Sequence, residues 1–245
     1  MAQPRDLQPL LSAIVIAIAL VIAAALGANA VTRVKASQQT VTVTGSAKQQ
    51  ITSDMIIWRG WVAHQSDDLQ SAYAALKDGM QKLRAYLAEK GIPAEQIVAT
   101  SIQTMTLYSF NDQGMQTNEI IGYRLQQGVE IRSNDVQRIT QISRESTELI
   151  HQGVALESNP PEYLYTKLGD LKVKMLAEAA RDAKLRAEQI ADATGSDIGR
   201  VRSARMGVLQ ITPAFSNEVS DYGINDVSSL EKDITAVVTV EFEID

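Results

Sequence analysis

The chain has 245 residues, of which 45% are hydrophobic and 21% charged, and it contains no cysteine. This composition excludes collagen-like and wholly disordered chains, and the missing cysteines exclude disulfides, thiolate catalysis and cysteine-ligated metal centres. The net charge is −6, and residues 1–39 are slightly basic, so the rest of the chain is more acidic still. Because an acidic body repels phosphate backbones, we expect no nucleic-acid partner.

The N-terminal region contains a long apolar segment. Leu10–Val31 is an uncharged run of 22 residues, which as a helix would span about 33 Å and match the roughly 30 Å hydrocarbon core of a bilayer. The pattern predicts a transmembrane helix over residues 10–31, with a short tip at 1–9 and a linker at 32–39. The lipid bilayer is therefore an expected partner.

A cleaved secretory signal is the competing interpretation of this segment. Ala28-Asn29-Ala30 has the small-x-small form of a signal peptidase site, and cleavage after Ala30 would release the body. The apolar run is longer than the roughly 7–15 residues of a signal core, which favours a retained anchor. The positive-inside rule weakly disfavours export of the body, because one basic residue, Arg5, precedes the segment and two, Arg33 and Lys35, follow it.

Strands and helices alternate through the body, residues 40–245. Turn residues and period-two alternation predict strands, and apolar residues three and four apart predict helices. This mixture with frequent hairpins favours an α+β fold of mixed, largely antiparallel sheets packed with helices, in two loosely similar halves at about 40–132 and 133–245. The strands are predicted at Thr40–Thr44, Met55–His64, Ile97–Phe110, Ile121–Ile131, Val154–Glu157, Asp197–Ile211 and Ile234–Ile244, and the helices at about 66–91, 133–153 and 162–193.

Several short motifs follow one another along the body. They are Val41-Thr42-Val43-Thr44-Gly45, Asp54, Gly91-Ile92, Thr100, Ile121-Gly122-Tyr123, Gly195 and Ile198-Gly199. In this order they resemble the SIMPL-domain family of bacterial envelope proteins over roughly residues 40–245. The chain departs from the family where Ser46 and Ala47 follow Gly45 in place of a second glycine, and where Ser53 stands for the proline before Asp54.

The resemblance implies a location and an assembly state. It implies an exported body and a ring-like or cage-like homo-oligomer. With the predicted anchor at 10–31, we expect a single-pass protein of the bacterial inner membrane with its body facing the periplasm. The resemblance implies no catalytic residues and no cofactor, and it associates the chain with envelope integrity and stress tolerance. The alternative function is an exported soluble binding protein or chaperone of the envelope, periplasmic after cleavage following Ala30.

A search for catalytic and metal-binding motifs finds no candidate. His64 and His151 have no histidine or carboxylate partner at metal-ligand spacing, and Asp67-Asp68 is explained by the start of a helix. No Gly-x-Ser-x-Gly and no glycine-rich phosphate loop is present. We therefore predict no catalytic, cofactor-binding or metal-binding residues and expect the protein not to be an enzyme.

Two regions are candidates for contacts between subunits. Trp58 and Trp61 are three apart on one strand and face opposite ways, so at least one belongs to the core and the other could contact a neighbour. The segment Thr212–Asp233 joins two strands and carries Phe215, Tyr222 and Ile224 among polar residues. Loops of this length are functional or disordered, so it is a flexible hairpin tip, an arm that docks on another protomer, or a ligand lid.

Overall fold

The structure is a computed structural model, and it describes residues 16–24 and 39–244. Residues 16–24 form a helix, α1. Among the described residues no helix is both long and apolar enough to cross a membrane. The predicted transmembrane helix, Leu10–Val31, overlaps the described residues only at 16–24. Its two ends, the tip at 1–9, the cleavage site after Ala30 and most of the linker lie outside them, so the anchor remains a prediction.

Residues 39–244 fold into strands and helices that follow the predicted order. Short 3₁₀ helices occur at Ala94–Gln96 and Ser146–Gln152. The helices are α2 (Leu69–Glu89), α3 (Val136–Glu145) and α4 (Leu168–Thr194), and the strands are β1 (Thr40–Thr52), β2 (Met55–Ser66), β3 (Ile97–Ala99), β4 (Gln103–Phe110), β5 (Gln116–Ser133), β6 (Leu156–Ser158), β7 (Glu162–Leu164), β8 (Ile198–Met206), β9 (Gln210–Pro213) and β10 (Glu231–Ile244).

The body divides into two compact units, each assembled from separate stretches of chain. The first comprises the described parts of Met1–Ala47, Lys174–Val208 and Ala236–Asp245, and the second comprises Lys48–Val173 and Leu209–Thr235. These boundaries differ from consecutive halves at about 40–132 and 133–245. The reason is long-range strand pairing, since β10 at the end of the chain pairs with β1 at the start of the body.

One sheet has the order β1-β10-β8, and β9 also pairs with β10. The pairs of β10 with β8 and with β9 are antiparallel, with Val238 opposite Met206 and Ile234 opposite Ile211. From Ile234 to Phe242 every second side chain of β10 is buried, which confirms the alternation predicted for this part of the strand. The buried apolar set is Ile234, Ala236, Val238, Val240 and Phe242.

The second sheet has the order β3-β5-β2-β6, with β4 on β5 and β7 on β2. Every described pairing in it is antiparallel. From Leu76 onward the predicted apolar stripe of α2 is buried in this core. Leu69 and Tyr73, which the same spacing predicts to be buried, are exposed. Antiparallel sheets with helices packed on them confirm the α+β class. The stripe consists of Ala72, Leu76, Met80, Leu83 and Leu87.

Two local predictions are wrong. The third helix begins at Leu168 rather than at about 162, because Glu162–Leu164 forms β7 and pairs with β2. Helix α2 begins at Leu69 rather than at about 66, because the Asp68 carboxylate caps it by accepting a hydrogen bond from the Ser71 N–H at 2.8 Å.

Candidate interaction surface

The segment between β9 and β10 comprises residues 214–230, and we call it the arm. It is shorter than the predicted loop Thr212–Asp233 because β9 and β10 continue the sheet into that range, with Thr212 opposite Asp233. The whole arm belongs to the second unit. Whether it can present a surface depends on how firmly its backbone is held.

The start of the arm is held by a buried carboxylate. The Phe215 N–H donates to Asp233 Oδ2 at 2.8 Å, and Lys48 Nζ lies 2.9 Å from the same oxygen. The Asp233 side chain is only 7% exposed. Hydrogen bonding to Lys48, followed by that to the Phe215 N–H, holds the pKa of Asp233 below its usual value of 3.8.

The middle of the arm is tied to β9. Gln210 Nε2 donates to the Ser220 carbonyl at 2.6 Å. The Ile211 N–H donates to the Ile224 carbonyl at 2.8 Å, and the Asp226 N–H donates to the Ile211 carbonyl at 2.9 Å. Ile224, a predicted subunit contact, is half-buried and contributes its carbonyl to this anchoring.

The end of the arm is held by a buried lysine. Lys232 is 2% exposed, and its Nζ donates to the Tyr163 carbonyl at 3.0 Å and to the Asp226 carbonyl. The Asp226 carboxylate lies 3.4 Å from this ammonium and accepts from the N–H groups of Ser228 and Ser229. Burial lowers the pKa of Lys232, and the Asp226 charge opposes that shift.

The arm nevertheless exposes three large apolar side chains. Phe215, Val219 and Tyr222 are 84%, 81% and 97% exposed. Phe215 also has a φ of 65°, a left-handed conformation that is costly for a bulky residue. An anchored backbone that carries exposed apolar groups is typical of a binding surface. The hydrogen bonds favour an ordered arm over a flexible hairpin tip.

The two tryptophans occupy different environments, on opposite faces of β2 as expected. Trp58 is fully buried, and its Nε1–H donates to Ser158 Oγ at 3.0 Å. Trp58 is therefore the tryptophan of the pair that belongs to the core. Trp61 is half-buried and lies over Gly128, where an added Cβ would come within 2.9 Å of the indole ring. Trp61 is thus partly exposed, but its exposed fraction is much smaller than those of the apolar side chains of the arm.

A cavity of about 240 Å³ lies at the end of the arm. Its lining is largely apolar, and the two charged side chains in it are Asp226 and Lys232. Both are engaged with each other and with neighbouring backbone groups, so they are not available to a polar ligand. His64 and His151 are exposed, and within the described residues no group of three or more His, Asp or Glu side chains is placed to hold a metal ion.

Acid is expected to release the start of the arm. Because the folded pKa of Asp233 is lowered, its anchoring contribution is complete above the unfolded value and is lost as the pH falls through the folded value. Exchange protection in a peptide covering residues 214–219 should fall several-fold, by up to about sevenfold, between about pH 5 and pH 3, after correction for intrinsic rates. Hydrogen exchange with mass spectrometry measures it.

The control for this titration is Asp233→Asn, which removes the ionisable group. Its protection at the same peptide should be low at both pH values. The Ile211 N–H, held by the Ile224 carbonyl, provides an internal reference. Equal acid-dependent loss in the parent and in Asp233→Asn would contradict the role given to this carboxylate.

Comparison with solved structures gives two distant likenesses. A hydantoinase/carbamoylase family amidase from Burkholderia ambifaria aligns with 47% of this chain at 14% identity and a TM-score of 0.25. A putative aminohydrolase from methicillin resistant Staphylococcus aureus aligns with 60% of it at 16% identity and a TM-score of 0.23. The aligned parts span 29% and 40% of those proteins. Likenesses this weak support no conclusion about fold or activity.

The family comparison covers most of the body. No curated protein matches the chain. The model of the SIMPL family, described as a protein of unknown function (DUF541), matches residues 41–242. The match agrees with the motif order noted in the sequence, and it brings no assigned activity with it. The chain belongs to the SIMPL family.

Proposed function

We propose that this protein is a non-enzymatic, membrane-anchored protein of the bacterial envelope that assembles into a ring-like or cage-like homo-oligomer through its arm. The observation that carries the proposal is the anchored arm with Phe215, Val219 and Tyr222 exposed. The non-enzymatic part rests on the sequence, in which no catalytic motif occurs. The role that such an assembly would serve is envelope integrity and stress tolerance.

The energetics of the arm favour association. A buried aromatic side chain covers about 150–250 Å², and each Å² of apolar surface removed from water contributes about 25 cal/mol. Aromatic side chains also dominate the energetics of protein interfaces. Two aromatic groups and one valine on a held backbone lose little conformational entropy on binding, because hydrogen bonds already restrict that backbone.

The anchor supports assembly in a second way. The described residues of α1 include Ile16, Leu20 and Val21, and all three side chains are exposed. Such a helix needs an apolar environment, which a bilayer supplies. Confinement of many copies to one membrane raises their effective concentration and favours closed assemblies over monomers.

Removing the two aromatic groups of the arm is expected to separate the subunits without loss of stability. In Phe215→Asn with Tyr222→Ser, the asparagine tolerates the left-handed backbone better than phenylalanine does, so the unfolding temperature should stay the same or rise. Self-association in mild detergent should weaken at least about thirtyfold, as expected for two hot-spot side chains. Sedimentation velocity of the full chain over a concentration series measures it.

The matched control is Val98→Thr, which removes an exposed apolar group from β3, outside the arm. It should leave the sedimentation profile unchanged. A double variant that sediments like the parent oligomer would contradict assembly through the arm. A parent chain that is monomeric and begins at Val31 would contradict the anchored oligomer and favour a soluble binding protein or chaperone.

A further inference from the structure

A surface groove runs along α2 in the second unit. It consists of two adjoining cavities of about 440 and 270 Å³, which share Tyr73 of α2 and Ile102 of the connection between β3 and β4. Leu69 lines one end. These three apolar side chains are exposed although they lie side by side. Exposed apolar groups clustered in a concave surface mark a site that a partner covers.

The other end of the groove is positively charged. Lys77 and Arg84 line it, and as residues two turns apart on one helix they are about 10 Å from each other on the same face. Neither forms an ion pair in the described part of the chain, whereas the neighbouring carboxylate Asp78 is engaged with Lys82 at 2.9 Å. On a chain with a net charge of −6, this is a local basic stripe beside an apolar groove.

The arm has the complementary composition. Glu218 precedes Val219, Asp221 precedes Tyr222, and residues 214–230 contain no lysine or arginine. Both carboxylates are exposed, and neither forms an ion pair with any residue that the structure describes. The arm thus carries apolar side chains next to unpaired acids, and the groove carries apolar side chains next to unpaired bases.

We propose that the arm of one copy docks in the α2 groove of the next copy. Its apolar side chains pack against Tyr73 and Ile102, and its carboxylates face Lys77 and Arg84. This inference rests on the proposed function and names the surface that receives the arm. Because arm and groove are different surfaces, the contact can repeat head to tail from copy to copy, and a closed rotation of such contacts produces a ring.

The area buried in each arm–groove contact fits a contact that is repeated around a ring. Burial of the three arm side chains, at about 150–250 Å² for each aromatic one and less for Val219, with a similar area on the groove, gives roughly 1,000 Å². This lies at the lower limit of a specific interface. Each contact would be weak alone and would be reinforced by ring closure and by confinement to one membrane.

Charge reversal on each side tests the pairing. Lys77→Glu with Arg84→Glu should raise the dissociation constant between copies at least about tenfold at low salt, because it places four acids together. Glu218→Lys with Asp221→Lys should have a similar effect. The chain that carries all four changes should recover to within about threefold of the parent, since the attraction is restored with opposite signs. Sedimentation of the full chain in mild detergent measures all three.

The control is Arg181→Glu with Lys184→Glu, an equal charge change on α4 that should leave assembly unchanged. If the parent is oligomeric and the reversals do nothing, or if the fourfold variant fails to recover, the docking inference is wrong while assembly stands. If the parent is monomeric, the proposed function itself is wrong.

Disulfide cross-linking tests the same docking even if a charge-reversal variant is unstable. The chain has no cysteine, so single-cysteine variants report only the engineered contact. Mixed Tyr222→Cys and Ile102→Cys chains should form a cross-linked pair that contains one of each. Ile190→Cys on α4 should not replace Ile102→Cys in this reaction. Equal yields with both partners would contradict docking in the groove.

Discussion

Replacing Gly45 by alanine is expected to lower the free energy of unfolding by about 3–5 kcal/mol. In the first unit, β1 crosses α4 at this glycine, and an added Cβ would lie 2.2 Å from the Ala179 carbonyl oxygen and 2.2 Å from the Ala183 nitrogen. Both are backbone atoms, which cannot rotate away as a side chain could. The strand and the helix would have to separate, which would open the packing of Ala179 and Ala183, both fully buried.

The crossing is reinforced by a charged hydrogen bond. The Ser46 N–H donates to Asp182 Oδ2 at 2.8 Å, and Arg186 pairs with the same carboxylate at 2.8 Å. The hydrogen bond from the Ser46 N–H is the largest cause that lowers the pKa of Asp182, and the bond from Arg186 lowers it further. Separation of β1 from α4 in Gly45→Ala would therefore strain this bond as well.

Gly169→Ala is the matched control for Gly45→Ala. Gly169 lies within α4, and an added Cβ there meets no atom within 4 Å. Because alanine is the better helix former, this change should raise the free energy of unfolding by up to about 1 kcal/mol. Chemical denaturation of both variants measures the difference. A Gly45→Ala chain as stable as the parent would contradict the close approach of β1 and α4.

Lys232→Met is expected to cost about 3–5 kcal/mol of unfolding free energy. The methionine fills much of the space, but it leaves the Tyr163 and Asp226 carbonyls without their donor and the Asp226 carboxylate without its counter-ion in a buried position. Unpaired buried polar groups of this kind carry the full cost of desolvation. The arm should also lose its anchoring at residues 226–230, and with it the capacity to assemble.

The control for Lys232→Met is Lys184→Met. Lys184 is exposed and pairs with Glu188 at 3.6 Å on the surface of α4. Its loss should change the free energy of unfolding by no more than about 0.5 kcal/mol. Denaturant titration compares the two variants, and an equal effect of both would contradict the stabilising role of the buried cluster.

The periodic elements could be predicted from the sequence because burial follows their spacing directly. The stripe from Leu76 to Leu87 is buried along α2, and the alternation after Ile234 is buried along β10. The sequence also predicts the arm, as a long polar segment with isolated aromatics. The sequence does not predict how the arm is anchored, because the anchoring depends on β9 and on carbonyl groups that are distant in sequence.

The burial of Lys232 could have been predicted from strand alternation, although its sequence neighbours suggest an exposed residue. Lys232 stands between Glu231 and Asp233, so local composition predicts a solvated turn. Yet Lys232 shares its strand face with Ile234 and Ala236, and continuing the alternation backwards by one step would have pointed it inward. The groove on α2 could not be predicted from the sequence pattern, because Ile102 comes to lie in it only through tertiary packing.

The most direct test of an anchored homo-oligomer is the mass of the intact particle. Native mass spectrometry of the full chain, extracted from membranes in mild detergent, reports both subunit number and the state of the N-terminus. We expect a discrete multiple of 26.7 kDa in which every subunit retains residues 1–31. A single subunit of about that mass at micromolar concentration, or a shorter subunit that begins at Val31, would contradict it.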